Sequence, residues 1–410
     1  MLTGRLFAVI GLFMLSLCWL FPVQASPAAD APAPAQAPPQ SLPSDSPSAR
    51  DAVMKALPNL SSPENVVRAK AVQELRALKE SNQAECTTLM RDALLTSPRP
   101  LTRLGAARVL GLLDDKIPDN VPELLAQLKA SDEPAHQLAL AHALSLFRAE
   151  GGEAMPILVQ LIEESDDPVF QERIAFFMPQ LGKPKADLIP KLTDMLGNDN
   201  SEVRSEVVTC LVMSGSSIIP GLAVRLDDPN EYVRAGIAEV FENLEGAQVA
   251  VPKLVEMMKT DTSTRVRSRA MEALGAIPEA APSLVAALSD VDPTVRWYAV
   301  NGLQRMGDAA DVPAYFQALW QAVPALSNAL DDSDSGVRIW AVRALSRIGE
   351  KAQAQRKFVL NMQLSTLRQA LQKALRTLNA AGDAPTRGEE IARAHDRKLL
   401  ERFLAATASS

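Results

Sequence analysis

Apolar residues recur in one register along residues 60–350. From each of nine anchors, Arg68, Arg103, Gln137, Gln171, Arg204, Arg234, Arg267, Arg296 and Arg338, position +3 is Ala, Val, Leu or Ile, and position +7 is Leu, Met or Phe. With a mostly small +4, these positions make one apolar stripe, so every copy predicts a helix starting near its anchor, here helix B. The anchor is often preceded by Val, as in Val203-Arg204 and Val337-Arg338, and follows a polar turn such as Asp227-Asp228-Pro229. Proline recurs at 122, 156, 190, 220, 252, 282 and 324, 14 or 15 residues before an anchor. Each is read as opening a partner helix A, because the first turn of a helix tolerates the missing N–H. The acids of the turn suit the N-terminus of helix B as caps and as partners of its dipole. Gly182, Gly307 and Gly349 read as helix stops.

The anchors lie 35, 34, 34, 33, 30, 33, 29 and 42 residues apart. A period in the thirties means helix pairs that bury their apolar faces only by stacking. The fold class read from this is all-α, an α-solenoid of about nine helix pairs. Aromatic residues are 4% of the chain and no segment alternates as a strand would. The sequence Val-Arg-x-x-Ala-x-x-x-Leu after an Asp/Pro turn resembles the HEAT repeat, in the short form named after phycobilisome lyases, across about three quarters of the chain. The resemblance implies an armadillo/HEAT-like superhelix. It also implies a ladder in which Asp199, Asp228, Asp261, Asp292 and Asp332 pair with the nearby anchors Arg204, Arg234, Arg267, Arg296 and Arg338.

The ends read differently. Residues 1–25 hold one base, Arg5, an apolar stretch over 6–21 and Val23-Gln24-Ala25 before Ser26. This pattern is that of a secretory signal peptide, and 16 apolar-rich residues are short for a membrane span. An uncleaved anchor and a lipoprotein site at Cys18 are the alternatives, the second opposed by the bulk of Leu17. Residues 26–50 form a Pro/Ala-rich linker, and 51–349 the repeat array. Two stretches without an anchor, 350–381 and 386–406, are read as C-terminal caps, with a partner-binding helix as the alternative.

Chemistry is sparse. The net charge is −7, a poor footprint for nucleic acid. Only three His occur, and His136 and His142 stand six apart, off the i, i+4 spacing that suits one metal. No His-Glu-x-x-His, phosphate loop or Gly-x-Ser-x-Gly is present. Asp331-Asp-Ser-Asp334 lacks the spacing of a calcium loop. Cys86 and Cys210 fall three repeats apart, too far for a bridge. Neither a cofactor nor a catalytic role is expected.

One cluster stands out. Beyond the leader every Trp lies between 297 and 340, together with Tyr298, Tyr315 and Phe316. Tyr298 and Trp340 share the +2 slot of helix B. By resemblance, +2 and +5 face the inner curve of the stack, which assembles Tyr298, Trp340, Arg343, Arg269 and Asn301 into a candidate partner-binding patch. The alternative is packing beneath a helix inserted at 311–321 in the long last repeat. Two functions follow: an extracytoplasmic scaffold for a protein or peptide, or a chromophore-lyase-like subunit or chaperone acting on a tetrapyrrole-bearing protein. The leader opposes the second, whose family chemistry is cytoplasmic.

The leader makes one direct prediction: the exported chain begins at Ser26 and is free in the periplasm or its equivalent. N-terminal sequencing that finds Met1 in a membrane fraction would contradict it.

Overall fold

A computed structural model describes residues 49–406, apart from 63, 78, 113–120, 147–151, 310–312, 355–360 and 382–385. The expected signal peptide, nearly all of the expected linker, the start of the expected insert and the Cys86 side chain lie outside the described residues. Residues 48–410 form one unit, and its described residues contain helices and no strand.

Nine A/B pairs follow one another. They are α1 (Ala49–Ala56, extended by a 3-10 turn over Leu57–Ser61) with α2 (Asn65–Ala77), α3 (Lys79–Thr96) with α4 (Pro100–Leu112), and α5 (Val121–Ala130) with α6 (Pro134–Leu146). Next come α7 (Met155–Glu164) with α8 (Pro168–Ala175), α9 (Ile189–Met195) with α10 (Ser201–Met213), and α11 (Ile219–Ala223) with α12 (Glu231–Glu242). The last three are α13 (Val251–Thr260) with α14 (Thr264–Gly275), α15 (Ala281–Ala287) with α16 (Pro293–Asp308), and α17 (Pro313–Ala329) with α18 (Ser335–Ala354). Each B helix packs on its own A helix and on the B helices before and after it.

The stripe read from the sequence is the core. All eighteen +3 and +7 residues, from Ala71 and Leu75 to Ala341 and Leu345, are buried. So are Val203, Val233, Val266, Val295 and Val337 just before their anchors. A fully buried Leu or Val contributes roughly 1.5–3 kcal/mol relative to exposure, so each layer is held mainly by this stripe.

What starts each B helix at the right residue is a hydrogen-bonded clasp in the turn. In all nine turns the residue six before the anchor is Ser, Asn or Asp. Its side-chain oxygen accepts the backbone N–H two residues on, at 2.8–3.3 Å. That next residue is the N-cap, and Asp167, Asn200, Asn230 and Asp292 accept a first-turn N–H in the usual capping manner. The anchor side chain closes the clasp. Eight of nine donate to the carbonyl six residues back, at 2.5–2.9 Å. The Gln137 and Gln171 amides do this as the Arg guanidinium does, which explains why either type serves as an anchor. Arg103 departs, giving both terminal nitrogens to Glu133.

The ladder exists only in part, and this corrects the expected pairing. Arg234 binds Asp261 through two bonds of 2.8 and 2.9 Å, Arg296 binds Asp332 at 2.7 and 2.9 Å, and Arg103 binds Glu133. In each case the carboxylate belongs to the following turn. Asp228 is taken by Arg225 at 2.7 Å. Asp292 caps its own helix, and Asp199 offers its carbonyl to Arg204. Arg204 lies instead over the Tyr232 ring of the next repeat, 4.3 Å from its centroid. Arg267 donates to Thr264 within its own helix.

Three further expectations change. Pro122, Pro156, Pro190, Pro220, Pro252 and Pro282 sit in first turns of A helices, but Pro324 lies inside α17. The long spacing of the last repeat is one continuous helix, and the buried stripe Phe316, Leu319, Val323 and Leu326 offsets the lost bond to the Trp320 carbonyl. Gly182 ends its helix with φ of 96°, whereas Gly307 and Gly349 lie inside α16 and α18. They are places of close approach: a Cβ there would come within 3.0 Å of Arg347 and of Leu371. Finally, α19 (Asn361–Ala380) packs on α17 and α18, and α20 (Arg387–Ala406) on α18 and α19. The C-terminal stretches thus continue the stack as a tenth layer that lacks an anchor.

The clasp predicts graded effects at Arg296. Arg296→Gln should keep the carbonyl bond, lose the ladder and cost about 1 kcal/mol. Arg296→Ala loses both and should cost about 3 kcal/mol. Urea unfolding that gives the two variants equal stability would contradict the clasp.

Candidate functional site

Side chains at +2, +5 and +9 of successive B helices form one face. Over repeats six to nine the chain fills it with its own ion pairs. Arg269 of α14 bridges Glu239 and Glu272, at 3.3 and 2.8 Å. Arg347 of α18 bridges Asp308 and Glu350, at 3.2 and 3.0 Å. Arg305 of α16 passes over α14 to bind Glu242 of α12. It can do so because Gly275 of α14 carries no side chain, and a Cβ there would meet Arg305 Cβ at 2.9 Å. A direct bond between repeats six and eight requires the ends of these B helices to converge on this side.

The residues expected to form a binding patch are only partly brought together. Trp340 and Arg343 are neighbours, with the guanidinium 4.6 Å from the ring centroid, and Trp297 meets Trp340 edge-on at 6.2 Å. Tyr298 is 4% exposed and Asn301 5%, so both belong to the core, Asn301 donating to the Trp297 carbonyl. Arg269 is held between its two glutamates. Arg343 is bound by Glu389 of α20 at 2.8 Å, with Asp396 at 3.7 Å. The tenth layer therefore occupies what the sequence offered as a free face. The insert packs too: Tyr315 of α17 donates to the Ala276 carbonyl and Phe316 lies against Trp320 at 5.6 Å.

Among the described residues the same face holds a cleft in repeats three to five. Its volume is about 260 Å³, and it is lined by Leu138 of α6, Glu172, Arg173, Phe176 and Phe177 at and just beyond α8, and Glu202 and Glu206 of α10. Pro179, without an N–H for the Ala175 carbonyl, ends α8 early and turns Phe176 outward, 36% exposed. Phe177 is fixed from behind by the His142 ring, stacked at 5.3 Å, and meets Phe176 edge-on at 5.6 Å. Burial, with Glu202 one turn away adding to it, pushes the Glu206 carboxyl up to about 7. Its Oε2 is buried without a hydrogen-bond partner. Arg173 forms no ion pair with the neighbouring carboxylates among the described residues. Sequence reasoning missed this cleft because Glu206 is one acid among many. The available signal was the adjacent pair Phe176-Phe177 in a chain poor in aromatics.

Other candidate chemistry is inert. The Cys210 thiol is buried and free, its pKa raised by that burial with Glu206 adding to it, which leaves it unreactive. No group of three His, Cys, Asp or Glu among the described residues is arranged to hold a metal.

Comparison with known proteins agrees with the architecture. A family model described as HEAT repeats matches residues 87–176, 155–242, 189–275, 219–290, 251–321 and 281–378. No curated protein matches the chain. Among solved structures, Kap95p in a structure concerning its binding to RanGDP is 15% identical with a TM-score of 0.55, covering 87% of this chain and 52% of that one. Kap95 in a complex with Nup1 is 14% identical with a TM-score of 0.56, over the same shares. An importin-β structure is 16% identical with a TM-score of 0.51, again over 87% and 52%. The chain spans about half the length of these three proteins, and at such identity the likeness is one of fold.

The cleft predicts a pH-dependent effect. Glu206 titrates higher folded than its ordinary 4.5, so its contribution to stability is full below that value and is lost as pH rises through about 7. Glu206→Gln should therefore stabilise the protein at pH 8, on the order of 1–2 kcal/mol after allowance for solvent screening. At pH 5 the gain should nearly vanish. An equal gain at both pH values in urea melts would contradict the assignment.

Proposed function

Because the chain belongs to the HEAT-repeat family, we propose that it is a non-catalytic scaffold holding a protein or peptide partner on the helix B face, outside the cytoplasm. The observation that carries this reading is the contrast along that face. Repeats six to nine satisfy their own charges, and the tenth layer covers the last helix B. Repeats three to five present an outward Phe, a fixed Phe behind it and a carboxylate oxygen with no partner. Aromatic residues in a partly desolvated, preformed setting are what binding hot spots are made of. The importin-β-type structures, in which Kap95 is found with Nup1, support a protein partner on this fold.

Export rests on the N-terminal leader; the linker is divided off by its Pro/Ala composition, and the array and cap by where the anchors begin and end. Kinship with the phycobilisome lyase type rests on the Val-Arg-x-x-Ala-x-x-x-Leu form of helix B. The leader opposes a tetrapyrrole role, because the chemistry of that type is cytoplasmic.

The test compares the wild-type mature chain with Phe176→Asp as bait in the native envelope fraction. Phe176 packs edge-on against Phe177, so the melting temperature of the variant is measured alongside, and retention is compared at a temperature where both proteins are folded. The proposal expects a protein retained by the wild type and reduced about tenfold on the variant, a loss of ~1.4 kcal/mol or more. Equal retention by both would place binding elsewhere and contradict it.

A further inference from the structure

The slot just before the anchor is a core position. Val203, Val233, Val266, Val295 and Val337 fill it in repeats five to nine and Phe170 in the fourth, all buried. In the third repeat the same slot holds His136, 9% exposed. It stands in the first turn of α6, at the one joint whose anchor leaves its own turn. Arg103, itself buried, gives both terminal nitrogens to Glu133 at 2.7 and 3.1 Å, and its Nε is buried without a partner. The His136 Nε2 is buried and unpaired too, and its Nδ1 lies 3.4 Å from the Ser131 hydroxyl. That hydroxyl already accepts the Glu133 N–H in the clasp that starts α6, at 3.3 Å. One guanidinium and one imidazole therefore share a single carboxylate, and Glu133 is itself 49% exposed to water.

From this cluster we propose that the joint between the second and third repeats is an acid-sensitive hinge, in which protonation of His136 sets a second cation beside Arg103 within the packing of α4 on α6 and loosens it. The charged groups that act on the imidazole are Arg103 of α4, which opposes protonation, and Glu133 of the turn, which favours it. The end of α3 adds the Leu94 carbonyl, an acceptor. Burial is the largest influence and works with Arg103, so the imidazole of the closed joint titrates below its ordinary 6.5. When the joint opens, the ring returns to water and to that ordinary value. The closed form is therefore fully favoured above 6.5 and loses ground as pH falls through that value. A valine in this slot, as in the later repeats, would pack without any such dependence. The inference does not depend on what the scaffold holds.

The test is amide hydrogen exchange read by mass spectrometry on the full mature chain at pH 7.5 and pH 5.5, with protection corrected for the intrinsic rate at each pH. Peptides from 97–112 and 131–146 should lose protection by roughly threefold to tenfold at pH 5.5, tenfold being the limit for one imidazole whose open-state value is 6.5. His136→Val installs the residue natural to this slot and should abolish the loss in those peptides. A second reading needs no folded variant: the His136 imidazole of the wild type, followed by NMR, should have its titration midpoint below 6.5. Unchanged protection at pH 5.5 overturns the proposal, as does a loss that His136→Val retains. An equal loss along the whole array would be general loosening by acid and not a hinge, and overturns it as well. A midpoint at or above 6.5 does the same.

Discussion

The structure depends on how each repeat turns from helix A to helix B. A backbone that reverses between two helices leaves carbonyls at the end of one and N–H groups at the start of the other, and both must find partners. Here one residue and its anchor supply them. The Ser, Asn or Asp six before the anchor accepts an N–H, as Ser131 and Asp290 do, and the anchor returns to that same residue's carbonyl, as Gln137 and Arg296 do. Each bond is worth only about 1 kcal/mol net. Their consequence is larger, because they fix the residue at which helix B begins. A shift of one residue would rotate the helix by about 100° and carry the +3 and +7 stripe out of the core.

A second property follows from using arginine. Glutamine has enough donors to close the clasp and none in the right place to leave the repeat. Arginine has a fork to spare, and at Arg234 and Arg296 that fork reaches the next turn's Asp261 and Asp332. The Arg296 guanidinium holds the Asp332 carboxyl below its usual range, so this tie persists until strongly acid pH. Where the next turn's acid is already taken, as Asp228 is by Arg225, the arm finds a ring instead. Layers are thus tied by different contacts at different joints, over a clasp that eight of the nine anchors close.

Much of the fold was legible in the sequence because the anchor, the stripe and the A-helix prolines all recur in phase. The partner of each anchor was not legible, since a backbone carbonyl has no letter. The resemblance implied a ladder between successive repeats; Asp261 and Asp332 enter it, each with the anchor of the preceding repeat, and Asp199, Asp228 and Asp292 do not. Pro324 misled because proline marks a first turn in six A helices and an exposed interior position in the seventh case. The aromatic cluster misled for a related reason. Ring-bearing +2 positions promise a binding face only if they stay exposed, but Tyr298 is buried beside Trp297 and the Arg343 next to Trp340 is taken by Glu389 of residues 387–406, which carry no repeat signature. Conversely the cleft at Glu206 is marked by a buried carboxylate oxygen without a hydrogen-bond partner, a feature visible only in three dimensions.

At Arg296 one side chain performs two separable tasks, closing its own turn and tying it to the next. A double-mutant cycle on Arg296 and Asp332 tests this directly, because the natural repeats already contain both replacements: Gln stands at anchors 137 and 171, and Asn at position 198 of the fifth turn. Arg296→Gln and Asp332→Asn should each keep the local clasp while breaking the tie. The tie predicts a coupling of about 1 kcal/mol between them in urea unfolding, with the double variant little worse than either single one. Additive losses, with coupling near zero, would show that the two turns are not tied through this pair.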